Sequence, residues 1–170
     1  MKIQLSKFIS VPKYEETVEA SIDMDEIKLT GVSYPIRTRT GFPVLIQNRG
    51  KDKVVLKFET EVVLGIPCSR CLEEIPYPVS IKVLEEIDFG HMEEEEEFPY
   101  LEDKVLDLDM LIFDEIVPKL PTRVLCREDC KGLCPVCGTN LNEKECGCDR
   151  TVADPRMAAI QDIFKNFKEV

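Results

Sequence analysis

Apolar and polar residues alternate through much of positions 1–90, which predicts antiparallel strands. "KIQLSKFI" alternates with Ile3 and Leu5 on one side, and "YEETVEASI" sets Thr and Val at strand positions. "DEIKLTGVSYPIRTRTG" holds two short extended pieces separated by Gly31. "FPVLIQNRGKDKVVLKFETEVVLGIP" predicts a hairpin that turns at "NRGKD", its second arm alternating Leu56, Phe58, Thr60, Val62 and Leu64. "EIPYPVSIKVLEEIDF" adds a strand with Val79, Ile81 and Val83 on one face. The spacing of turn signals suggests a meander or small barrel rather than βαβ units.

The period changes after the acidic stretch "GHMEEEEEFPYLEDK". In "LDLDMLIFDEIVPKLPTRVLC", Leu108, Leu111, Ile112, Glu115 and Ile116 follow helical spacing. Asp107 or Asp109 can cap the start, and Pro118 or Pro121 ends it. A second helix is expected in "ADPRMAAIQDIFKNFKEV". There Asp154 suits the cap, Pro155 the first helical position, and Met157, Ile160, Phe164 and Phe167 form an apolar stripe. The expected class is therefore α+β: an antiparallel β-rich N-terminal body, two helices and a cysteine-rich C-terminal module. The expected divisions are a β domain at 1–90, an acidic linker at 91–105 and a helical, cysteine-rich module at 106–170.

Composition sharpens this outline. The 170 residues, 44% of them hydrophobic, suffice for one domain or one domain with a small appendage. The opening "MKIQLSKFISVPKYEE" has no sustained apolar run and no small-residue cleavage site, so no secretory signal is expected. No stretch reaches the roughly 18 apolar residues of a membrane span, and the expected compartment is the cytoplasm. The net charge of −11 is local: residues 85–109 hold 12 acids and one base, leaving 21 of each sign elsewhere. The rest of the surface can therefore carry a basic face. Candidates for it are Arg37 and Arg39 on one face of a strand, with Arg49, Lys51 and Lys53 in the hairpin turn. The lone His91 falls in the acidic stretch, which reads as a solvated loop or as a hold for a basic partner.

Six of the eight cysteines lie in "CREDCKGLCPVCGTNLNEKECGC", and Cys68 and Cys71 form "CSRC" between two strands. Cytosolic thiols stay reduced, which disfavours a disulfide framework. Two-residue spacing at a turn lets two thiolates reach one ion, and zinc favours four such ligands in a closed tetrahedron. One grouping joins Cys134, Cys137, Cys146 and Cys148, and separately Cys68, Cys71, Cys126 and Cys130. The rival is a single ribbon-like site from Cys68, Cys71, Cys134 and Cys137. Either way the expected cofactor is zinc, one or two ions. Each four-cysteine site carries a formal charge of about −2. Arg70, Arg127, Lys131, Lys144 and Arg150 stand near in sequence to offset it or to contact phosphates. "CPVC" also resembles a thiol–disulfide pair, but such a pair is expected at a helix start in a βαβ context, and here "GTNLN" follows. An all-cysteine set leaves no open position for hydrolytic zinc chemistry, and no catalytic residue is expected.

"CSRCL", "LCREDCKGLCPVCGTNLN" and "CGC" together resemble the cysteine-rich form of the bacterial YceD family, the large ribosomal RNA subunit accumulation proteins. The resemblance implies a cytosolic, non-enzymatic factor that supports 23S ribosomal RNA accumulation and large-subunit biogenesis. It also implies a metal-binding module with nucleic-acid contact, the cysteines being its ligands. Expected partners are ribosomal RNA or a large-subunit ribosomal protein, without membrane or small-molecule substrate. Arg37, Arg39, Arg70, Arg127 and Lys131 are the nucleic-acid candidates. In the alternative, the chain is a protein–protein adaptor whose acidic segment holds a basic ribosomal protein without touching RNA.

Overall fold

The computed structural model describes residues 1–38, 40–90 and 98–150. They form two compact units: Met1–Cys68 with Glu74–Val124, and Ser69–Glu73 with Leu125–Val170. The expected C-terminal helix, the acidic run 93–97, His91 and Arg39 lie outside the described residues.

The first unit is built on an antiparallel four-stranded sheet in the order β2-β5-β6-β7. These strands are β2 (Glu15–Ala20), β5 (Phe42–Gly50), β6 (Lys53–Pro67) and β7 (Glu74–Asp88). The meander expected from the sequence is β5-β6-β7, turning at Lys51 and Asp52, which both hold positive φ as a tight hairpin requires. Strand register explains why one face is buried. Phe58 pairs with Val83, and Val62 with Val79, so the apolar sets of both strands face the same side. Val54, Leu56, Phe58, Val62 and Leu64 bury there with Val79, Ile81, Val83 and Ile87. The two extended pieces around Gly31 form a separate hairpin, β3 (Glu26–Leu29) and β4 (Val32–Pro35).

Three sequence expectations are corrected. "KIQLSKFI" is not one strand: β1 covers only Lys2–Gln4, and α1 follows at Ser6–Ser10. Leu5 and Phe8 are both buried at helical spacing, and the buried Asn48 amide donates to the carbonyls of Phe8 and Ile9 at the helix end. The acidic linker does not run to 105, because β8 (Leu101–Glu102) and β9 (Val105–Asp107) form a hairpin, and β9 pairs with β1. Tyr100 anchors this region, buried with its hydroxyl donating to Glu85 Oε1 at 2.8 Å. Arg37 is not on a strand face; it follows β4 in irregular backbone, its N–H donating to the Val63 carbonyl.

α2 spans Leu108–Ile116, and the Asp107 carboxylate caps it by accepting from the N–H groups of Asp109 and Met110. Leu108, Leu111, Ile112 and Ile116 are buried in the core of the first unit. The helix therefore belongs to that unit, not with the cysteine-rich residues among which the sequence reading placed it. Among the described residues no helix is long and apolar enough to cross a membrane.

Candidate metal centre

The long β6–β7 hairpin ends at the pair Pro67↔Glu74, so "CSRC" occupies its connecting loop. Gly65 makes room near this end, where a side chain would overlap the Glu74 carboxylate and the Pro35 ring. The rest of the cysteine-rich unit, through residue 150, is turns and short bridges such as Leu133↔Asn140. Its shape is set by the turns that present sulfur.

Eight sulfurs fall into two groups of four: Cys68, Cys71, Cys126 and Cys130, and Cys134, Cys137, Cys146 and Cys148. Within each group all sulfurs lie within 4.8 Å of one another. A zinc–sulfur distance of about 2.3 Å gives a tetrahedron with edges of about 3.8 Å, so both groups have the size of a four-thiolate site. This is the neighbour grouping, and the mixed set of Cys68, Cys71, Cys134 and Cys137 is not formed.

In the first group Cys68, Cys71 and Cys130 are buried, and Cys71 Sγ lies 3.6 Å from Cys126 Sγ. The knuckle loop is tied to residues 130–133 by two hydrogen bonds. Arg70 donates from Nη1 to the Cys130 carbonyl at 2.7 Å, and Leu133 N–H donates to the Arg70 carbonyl at 3.2 Å. Gly132 holds φ +77, and a side chain there would stand 3.1 Å from the Arg70 oxygen. Asn142 Nδ2 sits 3.3 Å from Cys130 Sγ. Burial, the largest single effect, opposes ionisation of Cys130, but hydrogen bonds with the Asn142 amide, the Gly132 N–H, Cys126 and Cys71 together favour the thiolate, and its pKa falls below the ordinary value.

In the second group "CPVCG" closes on itself. Gly138 N–H donates to the Cys134 carbonyl, and Cys134 N–H to the Thr139 carbonyl, both at 2.8 Å. Gly138 takes φ +72, a conformation costly for other residues. Backbone N–H groups of Cys137 and Val136 face the Cys134 sulfur and lower its pKa. The Thr139 hydroxyl, 3.2 Å from Cys137 Sγ, and the Thr139 N–H lower Cys137 to about 6. Cys148 moves the other way, to about 12, chiefly through its hydrogen bond with Cys137. Four crowded sulfurs cannot all ionise without a compensating cation. The donor set fits zinc: eight soft ligands in two closed fours, with N–H groups turned toward sulfur.

Arg37, Arg70, Arg127 and Lys53 are engaged by neighbouring groups. Arg37 donates from Nε to Glu74 Oε1 at 2.7 Å and pairs with that carboxylate again through Nη2. Arg70 binds the Cys130 carbonyl, and Arg127 Nε lies 3.8 Å from Asp129. Lys53 pairs with Glu86 and Asp88. The Lys131 residue is exposed, and its backbone N–H donates to Asn142 Oδ1. Sequence reasoning missed Thr139 and Asn142, which support the sulfurs. The available signal was the polar "GTNLN" directly after a Cys-x-x-Cys pair.

Comparison with known proteins gives a family. The sequence profile of YceD, described as large ribosomal RNA subunit accumulation protein, matches residues 56–164. The uncharacterized protein YlbN of Bacillus subtilis is 27% identical over 99% of both chains. The uncharacterized protein Mb2951c of Mycobacterium bovis is 33% identical over 57% of this chain and 49% of its own. An Arabidopsis thaliana protein, large ribosomal RNA subunit accumulation protein YCED homolog 1, chloroplastic, is 29% identical over 39% of this chain and 21% of its own. No solved structure matches.

Proposed function

This chain belongs to the YceD family of large ribosomal RNA subunit accumulation proteins, and on that premise we propose that it is a non-enzymatic, two-zinc factor of large-subunit biogenesis. It acts in the cytoplasm and supports accumulation of 23S ribosomal RNA by binding a large-subunit ribosomal protein, the RNA, or both. The observation that carries the metal reading is the gathering of all eight cysteine sulfurs into two groups of four. Cys68, Cys71, Cys126 and Cys130 would hold one ion, and Cys134, Cys137, Cys146 and Cys148 the other. When bound, zinc supplies structure here rather than reactivity, because four thiolates fill its coordination. The chain's own part is to turn N–H groups, Asn142 and Thr139 toward the sulfurs and so offset their charge. "CPVC" is followed by a turn and not a helix, which weighs against a thiol–disulfide enzyme.

The adaptor reading, in which a basic ribosomal protein is bound without RNA, gains from the engagement of Arg37, Arg70 and Arg127 by neighbouring groups. The purified protein is expected to contain two zinc ions per chain. Cys68→Ser and Cys134→Ser should each lower this toward one, and cells carrying either variant should show a reduced ratio of large- to small-subunit RNA. A metal-free, folded protein with all thiols reduced would overturn the zinc reading.

A further inference from the structure

Among the described residues, two of the most exposed large apolar side chains belong to the cysteine-rich unit and are not sulfur donors. Leu72 is 66% exposed and Val136 62%. Each sits at a Cys-x-x-Cys turn: Leu72 directly follows Cys71, and Val136 lies between Cys134 and Cys137. Leu72 also holds φ +62, a left-handed conformation rare for a branched side chain. Both loops are held by hydrogen bonds. The first is held by Arg70 on the Cys130 carbonyl and by Leu133 on the Arg70 carbonyl, the second by the Gly138 and Cys134 N–H bonds. The unit therefore presents apolar side chains to water on loops already rigid, as preorganised binding anchors do.

Charge and composition select the occupant. Residues 69–73 and 125–150 contain six acids and five bases. Each zinc with four thiolates adds about −2, so two of them bring the loaded unit to about −5. Two of the five bases, Arg70 and Arg127, already meet the Cys130 carbonyl and Asp129. These described residues include no aromatic side chain on which a base could stack; the unit's Phe164 and Phe167 lie outside them. Among the described residues of this unit a polyanion finds neither cations in excess nor a stacking platform, whereas a cationic polypeptide finds opposite charge beside exposed apolar side chains once zinc is bound.

We propose that Leu72 and Val136 are the apolar anchors of a docking surface for a basic protein segment of the large ribosomal subunit. This deepens the proposed function and rests on it for the ribosomal setting. The test uses the zinc-loaded full chain with large-subunit proteins of the same organism, purified one at a time, and with a 23S RNA transcript. At least one basic protein should bind, more weakly as salt rises. The double variant Leu72→Asn, Val136→Ser should weaken that binding at least about tenfold while zinc content stays unchanged; Asn suits the left-handed position. Undiminished binding by the double variant overturns the proposal. So does failure of every basic protein to bind, or binding of the transcript that the double variant abolishes. Zinc content is read on the same samples. Its absence from the unsubstituted chain overturns the metal reading and removes the charge that selects the occupant, whereas undiminished binding by the double variant with zinc present overturns the proposal alone.

Discussion

Four thiols within 4.8 Å of one another titrate as a set, and the second group shows how its members divide the protons. Cys137, facing the Thr139 hydroxyl and N–H, is lowered from 9.0 to about 6, whereas Cys148, bonded to Cys137, is raised to about 12. The signs work in opposite directions. A depressed thiol contributes stability above its unfolded value, and that contribution is lost as pH falls through about 6. A raised thiol contributes below its unfolded value, and that contribution is lost as pH rises from 9.0 toward about 12. Protons compete with a metal ion for these thiolates, so if this group holds zinc, acid should release it, and metal content after dialysis should fall as pH is lowered. Metal content that is the same at every pH would contradict thiolate ligation. At this scale the closely spaced cysteine pairs were legible, but spacing alone left two ways of grouping them, and the structure forms the neighbour grouping. The engagement of Arg37 by Glu74 was not, because residue types do not reveal a partner 37 positions away.

Elements were legible where one period ran uninterrupted. β6 and β7 alternate over long stretches, and α2 repeats its apolar positions behind an Asp cap, so both were foreseen. The opening segment was misread because Ile3, Leu5 and Phe8 satisfy an alternating pattern at the first step and a helical one at the second. The pairing of β1 with β9 joins residues about a hundred positions apart, and nothing in local periodicity names such a partner. The hairpin end that delivers "CSRC" offers a sharp test of element packing. Gly65 pairs with Pro76, and any Cβ at 65 would overlap the Glu74 carboxylate and stand 2.9 Å from Pro35 Cγ. Gly65→Ala should therefore displace Glu74 from Arg37 and destabilise the first unit by about 1–3 kcal/mol. Chemical denaturation of the two proteins measures this, and an unchanged midpoint would show that the Glu74 side chain moves aside freely.

At the scale of the whole molecule, the two units are stabilised by different means. The first buries an apolar core from β1 through α2, including Leu5, Ile46, Leu56, Leu64, Ile81, Leu106 and Ile112. Through residue 150 the second contains no regular helix or strand beyond isolated bridges, and its buried hydrophobic residues are Cys71, Cys130, Cys134 and Leu141. A few thiols and one leucine cannot offset the conformational entropy of ordering some thirty residues, at roughly 1–2 kcal/mol each for the backbone. The proposed metal ligation would supply that free energy, about 10–16 kcal/mol for a structural zinc in small peptides. Chelation should consequently uncouple the units. Amide exchange protection at 125–150 should collapse once zinc is removed, while β5, β6 and β7 keep theirs, and restoring zinc should restore the lost protection. If protection at 125–150 survives complete removal of metal with the thiols reduced, the turns and hydrogen bonds alone hold that unit, and zinc is not what folds it.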